Sequence, residues 1–174
     1  MEQESINTIE IPLSQLEYRV PNQEESQSLN VEYQGGMELM FWLSNLEADT
    51  LTKDITLKAL QDAFDSLNNV KEYPIAEYNS VWHATFGLAI VFAEQIKYDF
   101  GWKWIMISKS PKVDVGWSLI SPDNNYGINV EQIFYHNIMI KKPIEVIELY
   151  NSIEKAVKEK NAEEENIRFF TMKK

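Results

Sequence analysis

The sequence predicts an α+β domain, and three observations carry that reading. Apolar residues recur at helical spacing through about residue 99. After Gly101 the period changes to two, through Trp102, Trp104 and Met106. From Val130 the helical period returns. Helices, then strands, then a helix indicate helices packed on one face of a small antiparallel sheet. A central buried helix and a C-terminal helix complete the expected architecture.

Residues 1–34 are polar, glutamine-rich and punctuated by Pro12 and Pro21. They read as an acidic, flexible arm, with residues 35–174 as a single α+β domain. Within the arm, Ile9-Glu10-Ile11 alternates like a strand, and Pro12 ends it or confines it to a sheet edge. Gln23 to Ser28 reads as a loop, and Gly35-Gly36 marks a break before the first helix. Met37 to Leu46 predicts that helix, a short one. Thr52 to Asn69 predicts a clearer one, because Leu57, Leu60, Phe64 and Leu67 share one face. Thr52 suits its N-cap and Asn68-Asn69 its end. Pro74 forces a new segment.

Glu77 to Asp99 is the expected central helix. From Ala84 to Ala93 only Thr85 has a polar side chain, so this helix is covered on several sides. Gly87 costs about 1 kcal/mol against alanine in a helix, so close approach of a backbone or an aromatic ring explains it. Strands follow at Trp102–Ile107, Val113–Ser121 and Tyr126–Val130. The turns Ser108–Lys112 and Ser121–Asn125 join them into an antiparallel meander. Val115, Trp117 and Leu119 fall on one face of the middle strand. Asn129 suits the cap of a helical turn through Asn137, and Ile138-Met139-Ile140 then extends. Pro143 opens a helix whose stripe is Val146, Leu149, Tyr150, Ile153 and Val157. Glu163-Glu164-Glu165 is an exposed acidic patch, and Ile167–Met172 a last strand returning to the sheet.

The chain has 174 residues, room enough for one core. It has no cysteine, which removes disulfides, thiolate metal sites and a cysteine nucleophile. Its N-terminus has neither a basic nor an apolar leader region, and its longest apolar run is about ten residues where a membrane span needs about 20. A cytoplasmic protein is expected. The net charge of -11 is concentrated at the start, with ten acids against one base in the first 50 residues. That balance disfavours nucleic acid and anionic membranes and allows a basic protein partner. It serves the solubility of the N-terminal arm equally well.

No residue pattern specifies catalysis. His83 and His136 have no ligand spacing around them, so neither a metal nor another cofactor is expected. Asp62 and Asp65 share the solvated side of their helix. Glu94 follows the longest apolar run, where burial would raise its pKa, and is the best single acid–base candidate. Phosphate loops and nucleophile elbows are absent from the sequence. The tryptophans are the most distinctive feature. Trp82, Trp102, Trp104 and Trp117 suit core positions, while Trp42 or Trp117, together with Tyr126 and Tyr135, would form an interface or line a small-ligand pocket if exposed.

Phe86-Gly87, then Gly101-Trp102-Lys103-Trp104, then Tyr126, Ile128 and Ile133 form a series spread over about a third of the chain. In this the chain resembles a group of small uncharacterised bacterial α+β domains that includes immunity-type proteins, which neutralise polymorphic or contact-delivered toxins. The resemblance implies an immunity role. It transfers no functional residue, since its markers are structural, and neither the acidic N-terminus nor Trp117 belongs to the pattern. The expectation is therefore a non-enzymatic protein-binding domain with a basic partner such as a toxin. Glu24, Glu25, Glu32 and Glu47 are its candidate acids, and Trp117, Tyr126 and Tyr135 its candidate aromatic contacts. The competing expectation is a small-ligand or hydrolytic site using Glu94 or His83 in an aromatic pocket.

Overall fold

The computed structural model describes residues 6–47, 50–73, 78–159 and 165–172. In chain order they form β1 (Ile6–Pro12), β2 (Glu17–Arg19), α1 (Gln23–Ser44), α2 (Lys53–Leu67), α3 (Val81–Phe100), β3 (Lys103–Lys109), β4 (Gly116–Ile120), β5 (Tyr126–Asn129), α4 (Val130–Met139), α5 (Val146–Glu159) and β6 (Asn166–Met172). The fold is α+β, with the C-terminal helix expected. The strands make one six-stranded sheet in the order β1-β6-β5-β4-β3-β2. The meander β3–β4–β5 is antiparallel. The sheet as a whole is mixed, because β6 enters between β1 and β5 and runs parallel to β5.

The boundary expected near residue 35 falls inside α1. That helix starts at Gln23 because Asn22 and Glu25 form a reciprocal capping box, each side chain bonding the other's backbone N–H at 2.8–2.9 Å. Gln23–Ser28 is therefore its first turns. The strand at Ile9–Ile11 does lie on a sheet edge, as Pro12 requires. Gly35 and Gly36 serve packing. A Cβ on Gly36 would fall against the carbonyl group of Gly87, with the carbonyl carbon at 2.6 Å, and one on Gly35 would meet Tyr78 Oη at 2.7 Å. Gly87 accepts both the α1 backbone and the ring of Tyr78, the close approach expected for it.

α3 begins at Val81 with Ser80 as its cap and ends at Gly101, whose φ of 70° suits a residue without a Cβ. Pro74 and Glu77 lie outside the described residues, as do Glu163 and Glu164. β4 is shorter than its sequence pattern. Ser110 Oγ accepts from the N–H groups of Lys112 and Val113, which turns the chain and leaves Val115 exposed ahead of the strand. Ile138 and Met139 complete α4 instead of extending. Thr52 and Asn129 cap α2 and α4 as expected.

The helices cover one face of the sheet. That core runs through Leu39, Leu60, Leu88, Phe92, Trp102, Leu119, Phe134 and Leu149. The other face has its own core of Ile11, Leu16, Ile105, Ile107, Val113, Ile120, Ile167 and Phe169. Curvature of the sheet closes it. β1 and β2 are the outermost strands, yet only Leu13–Leu16 joins them. That link reaches at most about 18 Å, whereas five strand spacings span about 24 Å in a flat sheet. The sheet must curl, and Lys112 in the β3–β4 loop reaches Glu10 O in β1 at 3.1 Å. No helix among the described residues is long and apolar enough to cross a membrane.

Candidate functional site

The strongest site lies where the first turn of α4 meets α3 and the start of β4. Asn129 builds it twice over. Its Oδ1 accepts from Gln132 N at 2.8 Å, starting the helix, and its Nδ2 donates to Asp114 O at 2.8 Å, pinning the β3–β4 loop. Gln132 Oε1 accepts from Asp114 N. The docked loop presents the N–H of Trp117, which donates to Glu131 Oε1 at 3.1 Å. Gly116 has φ of 153°, and a Cβ there would sit 3.2 Å from the same oxygen. Glu131 is thus held against a backbone that approaches closely because it lacks a side chain.

Tyr135 follows Glu131 by one helical turn, on the same face. Its ring meets Trp82 edge-on at 3.9 Å between centroids. Trp82 is 38% exposed. Burial drives the Glu131 carboxyl above its usual range, with the Trp117 N–H bond opposing the shift in part. Among the described residues no basic side chain forms an ion pair with Glu131.

Trp117 is half-buried and packs perpendicular to Trp104, centroids 6.4 Å apart. Trp104 donates its indole N–H to Glu94 Oε1 at 2.7 Å. Glu94 sits where two adjoining clefts of about 420 and 410 Å³ meet between α1 and α3. Its carboxylate is already engaged by Trp104 and by Lys97 at 3.0 Å. Asp99, in the first of these clefts, accepts from Tyr150 at 2.6 Å and Gln95 at 2.8 Å. Burial, reinforced by Asp99, pushes the Tyr150 hydroxyl far above its ordinary range. These groups satisfy one another and tie α3 to α5. His83 is exposed and lines neither cleft. It stands eleven residues from Glu94, about 16 Å along the helix axis, so the two do not form a shared acid–base pair. Among the described residues no group of three or more His, Asp or Glu converges to hold a metal.

The other expected contact residues divide. Tyr126 is 7% exposed and stacks on Phe170 at 5.7 Å, so it belongs to the core and offers no surface. Glu25 is committed to the α1 cap and to a two-pronged bond with Arg19 at 2.6 and 2.7 Å, which holds its pKa down to about 2. Glu32 is half-buried, with Tyr78 Oη 3.5 Å from its carboxylate. Glu24 and Glu47 are exposed. Trp117 meets Glu131 through its backbone N–H, and Tyr135 lines a recess with the same Glu131, a residue that sequence reasoning passed over. The available signal was an acid two residues after the Asn129 cap and four before Tyr135. Comparison with protein-family models, with curated proteins and with solved structures finds no match to this chain.

Proposed function

We propose that this chain is a non-catalytic protein-binding domain of the cytoplasm whose partner is basic, and that in its sharpest form it neutralises a toxin. The observation that supports this reading is the outer face of α1. The helix spans 22 residues, with four carboxylates and no basic side chain. Glu24, Gln27, Val31, Gln34, Glu38 and Trp42 repeat at steps of three and four along its exposed side. Val31 is 66% exposed and Trp42 45%. Tryptophan is enriched among residues that anchor interfaces, and a rim of one charge sign raises the association rate with an opposite partner. The toxin-neutralising form rests further on the resemblance of the Gly and Trp positions to immunity-type domains.

The test uses the purified product of the adjacent gene and isothermal titration. Binding is expected to weaken as salt rises and to be lost in a V31E/W42E double variant. Co-expression of the wild-type chain should restore growth if that product is toxic. Neighbouring products that neither bind nor intoxicate would exclude the immunity role. Unchanged binding by the double variant would exclude the α1 face.

A further inference from the structure

The cleft of about 410 Å³ beside Glu94 has a charge balance opposite to that of the chain. It lies where the end of β2 and the first turns of α1 face the end of α3 and the start of β3. Its lining sets two lysines, Lys97 and Lys103, against one acid, Glu94, in a protein of net charge -11. Glu94 is already matched. Lys97 bonds both its oxygens, at 3.0 and 3.2 Å, and Trp104 donates to Oε1 at 2.7 Å. Lys103 is exposed and makes no ion pair or side-chain hydrogen bond among the described residues. One positive charge is left over. The adjoining cleft has the reverse balance, with Glu94 and Asp99 against Lys53. Trp102 also lines the positive cleft, and its buried indole N–H has no acceptor among the described residues.

We propose that this cleft binds a small organic monocarboxylate, its head on Lys103 and its apolar body along the wall. One unpaired ammonium matches one negative charge and forms a charge-assisted hydrogen bond with it. A phosphate monoester, with about two charges at neutral pH, would exceed that match and meet Glu94. A bare carboxylate is little larger than a water, whose share of the liquid is about 30 Å³, so the rest of the ligand must fill most of the cleft. Val20, 66% exposed, and Pro21 and Trp104 give that body apolar contact. The acids elsewhere on the surface are screened, since the Debye length is about 8 Å at physiological salt. Neither Val31 nor Trp42 lines the cleft, so the site stands independently of the outer face of α1.

The test is a ¹H–¹⁵N NMR titration of the whole chain with phenylacetate. The indole N–H groups of Trp102 and Trp104 are the reporters, and those of Trp42 and Trp82, which line neither cleft, are the controls. The reporters should shift saturably while the controls stay still. Phenylacetamide keeps the body without the charge, acetate keeps the charge without the body, and phenethylamine reverses the charge. Each should bind about tenfold more weakly or worse. K103Q removes the unpaired charge from an exposed position without touching the core, and it should weaken phenylacetate about tenfold. The V31E/W42E variant should bind phenylacetate like wild type. Absence of a saturable shift, equal binding of the acid and its amide, or full binding by K103Q overturns the assignment. Loss of phenylacetate binding in V31E/W42E would overturn the separation of the two sites.

Discussion

Replacing Gly36 with alanine tests the packing on which the helical layer depends. Alanine is favoured over glycine by about 1 kcal/mol in a helix interior, and Gly36 has no positive φ to protect. On propensity alone G36A should stabilise the protein. Packing opposes this. The new Cβ would lie 2.6 Å from the carbonyl carbon of Gly87 and 2.9 Å from Val91 Cγ2. Carbon contacts settle at about 3.5–4.0 Å, so α1 and α3 must separate by about 1 Å. The obstructing atoms include helix backbone, which cannot rotate away. A gap of that size forfeits a quarter to a half of each contact it opens, and overpacking typically costs about 1–3 kcal/mol, sometimes more. With the overpacking cost at the upper end of that range, because helix backbone obstructs the new Cβ, the expected loss net of propensity is about 1–2 kcal/mol, a fall in Tm of roughly 2–8 °C. Urea unfolding followed by tryptophan fluorescence and far-ultraviolet circular dichroism measures it. G101A is the comparator. Its site has open space, with Pro122 Cγ at 3.9 Å, and a φ of 70°, so it isolates the backbone cost of about 1–2 kcal/mol. If G36A is as stable as wild type, or more so, the Gly36–Gly87 contact does not limit the approach of the helices.

The Glu131 carboxyl has a raised folded-state pKa, so its contribution to stability is fully present below the unfolded value of about 4.5 and lost as pH rises through the folded pKa. E131Q should therefore be more stable than wild type at neutral pH, with the difference shrinking in acid. A variant less stable at pH 7 would show that the charge is compensated. Ser118 Oγ is buried without a hydrogen-bond partner among the described residues, and an unmet buried polar group costs about 1–3 kcal/mol. S118A should be neutral or stabilising by up to about 1 kcal/mol in the urea midpoint, whereas a clear loss would reveal a partner for the hydroxyl.

Much of the fold was legible because it is locally encoded. The change of period at Gly101 separates α3 from β3, and Thr52 and Asn129 mark helix starts by the reach of their own side chains. The N-terminal segment was misread for an equally physical reason. Two glycines in succession signal a break when their neighbours are unknown, yet here they thin the helix where α3 and Tyr78 press against it. The candidate site was half legible. Tyr135 stood out by residue type, whereas Trp117 serves the site through its backbone N–H and Glu131 is a common residue made distinctive only by a docked loop.

The sequence by itself determined the types of most elements, the Thr52 and Asn129 caps, the antiparallel meander and the acidic start of the chain. All of these arise from spacing within a few residues. Only the tertiary structure decided that β6 enters between β1 and β5, that the sheet curls over a second core, and that Glu131 is shielded with no ion-pair partner among the described residues. Those outcomes depend on contacts between residues far apart in the chain. A period of two names a strand without naming its neighbour, and a carboxylate's charge does not say how much water will remain beside it.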